Sequence, residues 1–263
     1  MKKLLGISLM LVILCLLFVG CSTAGKSQSS VSIKKEQVKT QAEDKSTTMI
    51  DNTVKFNNSL DISGKSVIIS SEHINGVDTS QNISEVVDLK QNSSSIIKGT
   101  IKKVEYIDYN SRPVTILSVL VTKDYKGKIQ PNTLISVIKS GGYMSLKSFV
   151  DEREGKFTIV DDNKQNLSQF EIHKSDYEKG IMNEKSANDS ITQVGDDNIY
   201  YLSSTDKNSG ILQGCYRVTG GSDLGVFAVS GNTAKRYLDK GTEVKDTKKE
   251  QTGYSVNELV PNA

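Results

Sequence analysis

Cys215 and Arg217 are the first residues of this chain that invite a chemical reading. Two positions apart on a strand they share a face, and a guanidinium beside a thiol favours the thiolate. A histidine base would complete a nucleophilic site. The two histidines, His73 and His173, lie 100 residues apart in weakly patterned stretches. Both read as exposed loop residues, and a histidine metal site needs several ligands to converge. Gly214-Cys215-Tyr216-Arg217-Val218 reads as a strand, and free cysteine is among the most buried residue types. A structural thiol is therefore the favoured reading. The acidic pairs Asp161-Asp162-Asn163 and Asp196-Asp197-Asn198 suggest calcium. A calcium loop needs regular ligand spacing, a Gly at the sharp turn and a distal Glu. Counted from Asp161, those positions hold Gln165, Asn166 and Ile172, so these acids read as turn residues. No nucleotide loop, nucleophile elbow or zinc-helix motif occurs. Gly141-Gly142 and Gly220-Gly221 read as turns, and Tyr106, Tyr109, Tyr125 and Tyr143 as ordinary strand and turn tyrosines that could instead line a barrel mouth. No catalytic residue, cofactor ligand or metal ligand is assigned.

The N-terminus carries a different signal. Lys2 and Lys3 precede an apolar run, Leu4 to Val19, broken by Gly6 and Ser8. Gly20-Cys21 follows, then the polar Ser22-Thr23-Ala24-Gly25-Lys26. That order, charged head, apolar stretch and small residue, is a signal peptide pattern. The run is shorter than the ~20 residues a membrane span needs. The junction resembles the lipobox of bacterial lipoproteins, with Phe18 standing where that family usually has Leu. The resemblance implies acylation of the Cys21 thiol and cleavage before it, giving a lipid-anchored chain on the extracytoplasmic face of the cell membrane. An ordinary secretory signal or an uncleaved anchor is the alternative. The two acyl chains of a diacylglycerol anchor stably, where a single chain such as one palmitate would be marginal.

Removal of residues 1–20 takes away Lys2 and Lys3 and no acid, so the 33 Lys+Arg fall to 31 and equal the 31 Asp+Glu. A neutral chain argues against nucleic acid as partner. Of the three cysteines, Cys15 leaves with the signal and Cys21 takes lipid. Cys215 then has no intramolecular partner, and a four-cysteine zinc site is excluded.

The elements follow from periodicity and turn chemistry. Residues 21–50 are Ser-, Thr-, Lys- and Gln-rich and read as the lipidated Cys followed by a flexible tether, and 51–82 are ambiguous apart from a strand at Val67-Ile68-Ile69 and a turn at Asn75-Gly76. Asn82 with Glu85 predicts a cap for a short helix. Ile97, Gly99 and Ile101 alternate with polar residues, and the apolar set then slips to Val104 and Tyr106, which predicts a bulged strand. Val114 to Val121 predicts a central strand, Leu134 to Ile138 the next. Residues 145–197 hold 12 acids against seven Lys/Arg and read as a long acidic insertion, mostly solvated, with a small hairpin. Strands resume at Asn198 to Leu202, Gln213 to Val218 and Val226 to Val229, with a hairpin at Ser230-Gly231-Asn232. The β-barrel domain is expected over 83–239, and 240–263 as a C-terminal tail.

The stretches "SSSIIKGTIKKVEYIDY", "PVTILSVLVTKDYKGKIQPNTLISVI", "NIYYLSS" and "GCYRV…GVFAVSGNTAKRYL" resemble a group of uncharacterised Gram-positive lipoproteins. Their layout is also similar to OB-like barrels, including the netrin-like domain of metalloproteinase inhibitors. Those inhibitors act through a disulfide-bonded N-terminal cysteine, for which this chain has no equivalent. The resemblance implies a mainly β fold: a small antiparallel OB-like barrel with one or two short helices. The function expected is a lipoprotein held in the membrane through acylated Cys21, serving as a non-catalytic binding module for another envelope protein or a small ligand. The alternative is a cell-envelope enzyme using Cys215 or acids of the insertion.

Overall fold

A computed structural model describes residues 48–73, 85–186, 193–221, 224–236 and 247–261. Cys21, the signal and nearly all of the tether lie outside these residues, as do the Asn75-Gly76 turn and the expected cap residue Asn82. Along the chain come β1 (Ile50–Asn52), β2 (Val67–His73), α1 (Val86–Asn92), β3 (Ser95–Tyr109), β4 (Arg112–Lys126) and β5 (Thr133–Ser140). Then follow β6 (Gly142–Ser145), α2 (Leu146–Asp151), β7 (Thr158–Val160), β8 (Glu171–His173), α3 (Lys174–Lys179) and β9 (Ile181–Ser186). The last part holds β10 (Asp197–Ser204), β11 (Tyr216–Val218), β12 (Val226–Ser230), β13 (Thr233–Lys235), α4 (Thr247–Thr252), β14 (Tyr254–Ser255) and α5 (Val256–Leu259).

The chain is mainly β, and five strands close into an OB-like barrel. β3, β4 and β5 form an antiparallel meander; β10 returns beside β3, and β11 lies between β10 and β5. One seam, β5 with β11, is parallel, with Tyr216 opposite Val137. The other four seams are antiparallel, as expected of the barrel. An odd number of strands cannot alternate direction all the way round a closed ring, so one neighbouring pair must run together.

β3 and β4 are 15 residues each, long for strands, and they curve around the barrel. Their register shifts between Ile101 and Lys103, where the apolar alternation slips, and twice more between Ile96 and Gly99. Gly99 sits among these shifts. A Cβ there would lie 2.5 Å from Val119 Cγ1 and 2.9 Å from the Leu120 carbonyl oxygen, so the two backbones come closer than any side chain allows. The barrel interior is filled by Ile97, Ile101, Leu117, Val119, Tyr200 and Leu202, among others. β10 alternates between two cores. Tyr200 and Leu202 point into the barrel; Ile199 and Tyr201 pack outside it with Leu89 of α1, Phe227 of β12 and the C-terminal Tyr254, Leu259 and Val260.

Several expectations change. Five short α-helices are found among the described residues, not one or two. α1 begins at Val86 with Glu85 as its N-cap, and that side chain makes no capping bond. The stretch after Asp239 is more than a tail. β14 extends the sheet beside β13, and a buried ion pair joins Arg236 to Glu250, which also accepts from the Tyr254 hydroxyl. The insertion has a core of its own: Met144, Leu146, Phe149, Val150, Ile172 and Met182. Its sheet runs β2-β9-β6, so the ambiguous pre-domain segment supplies one strand. The expected small hairpin is instead a parallel pair, β7 with β8. Its apolar residues are too widely spaced to show a period, and only tertiary contact assembles them.

Candidate functional site

Cys215 lies just before β11, not within a strand. It is 2% exposed and packs with Ile107, Val114, Ile116, Ile138 and Leu212. Burial pushes its thiol up to about 11, which opposes thiolate formation. Its carbonyl accepts from the Thr205 amide (3.2 Å) and hydroxyl (3.0 Å), which pins the chain entering β11. The thiol lies in the core, where free cysteines are commonly found.

The histidines belong to different strands, β2 and β8. His73 ends β2, while His173 caps α3 and its Nε2 lies 3.0 Å from the Lys164 carbonyl oxygen. The acids act in turns and pairs. Asp162 accepts from the Ser175 amide and hydroxyl, both at 2.9 Å, and these bonds hold its carboxyl below the usual range. Asp196 accepts from the Gln193 amide at 2.8 Å, and Asp197 pairs with the Thr100 hydroxyl. Among the described residues, no group of three or more His, Cys, Asp or Glu side chains is placed to hold a metal. The tyrosines divide. Tyr106 stacks edge-on against Tyr143, ring centroids 4.9 Å apart, and Tyr109 donates to the Ser209 carbonyl at 3.3 Å. Tyr125 packs outside the barrel under Lys123. They do not gather at a common mouth.

A cavity of about 440 Å³ opens elsewhere, beside β1. Its walls come from β1, the β4–β5 loop, the start of β5, and Gly214 with Tyr216. The geometry has a simple origin. β5 pairs with β4 along one edge, and its other edge is shared: β1 takes Thr133 to Ile135, and β11 takes Val137 and Ile138. Where β1 and β11 part, the wall is incomplete. Ser136, at the gap, accepts from the Val54 amide at 3.0 Å and turns the chain away after β1. The loop is set by Asp124, whose two oxygens accept from the Lys126 amide (3.1 Å) and the Ile129 amide (3.0 Å). Gly127 has φ +137°, and a Cβ there would press on Ser95. The Lys126-Gly127 turn thus brings Lys128, Ile129 and Gln130 to the cavity. Ile129 and Ile135 belong to the barrel core, so the cavity reaches down to it. The Tyr216 hydroxyl is shifted upward, first by burial and then by the Asp124 carboxylate.

None of these cavity residues stood out in the sequence as a site. Asp124 to Lys128 and Gln130-Pro131-Asn132 carry only turn chemistry in the sequence, and Ile50 fell at the end of the tether with Asp51 and Asn52 opening the ambiguous segment. Three residues carry no readable period, and β1 exists because β5 offers it a ladder.

An OB-like β-barrel with a side cavity is the class that fold and site define. No protein-family model matches the chain, and no curated protein matches it in sequence. Among the described residues no helix is long and apolar enough to cross a membrane.

Proposed function

We propose that this chain is a membrane-anchored extracytoplasmic lipoprotein whose OB-like barrel works as a non-catalytic binding module. The lipobox-like run into Cys21 supports the anchor, with the lipid bilayer as its first partner. The cavity beside β1 carries the binding reading: it lies within the ~300–1,000 Å³ of small-molecule sites and sets polar groups beside the apolar Ile129 and Ile135. The enzyme alternative would draw on Cys215 or the insertion acids. The thiol is buried with its ionisation suppressed. Asp151 and Glu171 are held as carboxylates by Lys147 and Lys164, with no shift toward the neutral range of a general acid.

Metabolic labelling with an alkyne fatty acid tests the address. The wild type takes label and fractionates with membranes, and Cys21→Ser does neither. Undiminished labelling of that variant removes the lipoprotein assignment. Recovery of bound material with the anchored chain from solubilised membranes tests the binding. Asn52 is exposed on β1 at the cavity, and Asn52→Trp should block recovery. The same material on both chains would move the site away from the cavity.

A further inference from the structure

The cavity's polar lining has a definite sign. Lys128 is its sole charged side chain, and among the described residues it makes no ion pair. The carboxylate of the same loop, Asp124, is already engaged by two backbone amides. An ammonium offers three donors and no acceptor. Thr133 supplies the second observation. It is 3% exposed and lines the cavity, yet its hydroxyl has no hydrogen-bond partner among the described residues. Buried polar groups in native proteins are nearly always partnered, and an exception calls for a water or ligand. Ile129 and Ile135 give the same space an apolar wall.

We propose that this cavity binds a small amphiphile with an anionic, acceptor-rich head and a short apolar body. The head meets the Lys128 ammonium at the rim. The Thr133 hydroxyl donates one hydrogen bond, and the body packs on Ile129 and Ile135. This assignment rests on the binding-module reading and gives it a ligand class.

The chain contains no tryptophan, so Ile50→Trp in the full-length, detergent-solubilised protein places a sole indole beside the cavity. Octanoate, octyl phosphate and 1-octanol are the probes. Octanoate and octyl phosphate should change its emission saturably. Lys128→Gln in that background should weaken both about tenfold, and Thr133→Val about threefold, as expected for charged and neutral hydrogen bonds. A ligand-dependent rise in Tm of the unsubstituted chain gives the same reading without the indole. Binding of 1-octanol as tight as octanoate overturns the anionic class but leaves the cavity as a ligand site. No response to any probe in either measurement overturns the proposal. The binding module itself fails only if membrane-derived material is also absent from the wild-type chain.

Discussion

Two buried residues, Thr133 and Cys215, each make a prediction of their own. An unpartnered buried hydroxyl is a cost to the ligand-free fold. Thr133→Val keeps the shape and removes the polar atom, so it should raise the unfolding free energy by about 1–2 kcal/mol in urea titrations while weakening ligand. A variant that loses stability would mean the hydroxyl is satisfied in solution. Cys215 speaks through pH. Its thiol is raised from 9.0 to about 11 by burial. Below pH 9 it is protonated in folded and unfolded chains alike. Between 9 and 11 only the unfolded chain gives up the proton, so stability falls as pH rises through that window. Cys215→Ala lacks this contribution, and its stability gap from the wild type should narrow across the same range. A constant gap would show that the thiol does not titrate differently in the two states. At neutral pH, Cys215→Ser should cost about 1–3 kcal/mol, since the hydroxyl gains no assured partner in that apolar cluster.

The C-terminal elements depend on one ion pair. Arg236 is held by both oxygens of Glu250, by the Leu224 carbonyl at 2.9 Å, and over the Phe227 ring. Glu250→Gln leaves a buried guanidinium without its counter-charge and should cost about 3–5 kcal/mol in chemical denaturation. A loss under 1 kcal/mol would mean water reaches Arg236. The sequence showed parts of this architecture and hid others, for physical reasons. β3 was legible because its alternation, even its slip at Lys102, is written in residue type, and β4 because Val114 to Val121 is apolar on both faces. Cys215 was legible because buried free thiols are the common case. β2 was legible only at its start, Val67-Ile68-Ile69, and β1 and β14 were not, because two or three residues without alternation become strands only when a neighbour supplies hydrogen bonds. The insertion core was hidden by its acids: Met144, Phe149, Ile172 and Met182 lie far apart in sequence and meet only in the fold. The cavity was hidden for the same reason, since β1, the β4–β5 loop and Gly214 come together from three distant stretches.

At the scale of the whole molecule, the insertion combines a small core, built from Met144 to Val150 and Ile172 to Met182, with a solvated stretch at 161–170. Limited proteolysis of the native chain should therefore spare the core range made of 144–150 and 172–182, with cleavage there appearing only as global unfolding begins. Early cuts inside that range would show that its core opens independently. The parallel seam and the shared edge of β5 also order events in time. Ile50 waits for Thr133, Val67 for Ile181, and Ser95 for Leu202. A chain emerging from its N-terminus presents β1 and β2 long before their partners exist. Loops this long must close before any of those ladders forms, which makes folding slow for the chain's size. The early strands stay open to chaperones and to neighbouring chains until the last third has arrived, and the barrel cannot shut until β10 reaches β3.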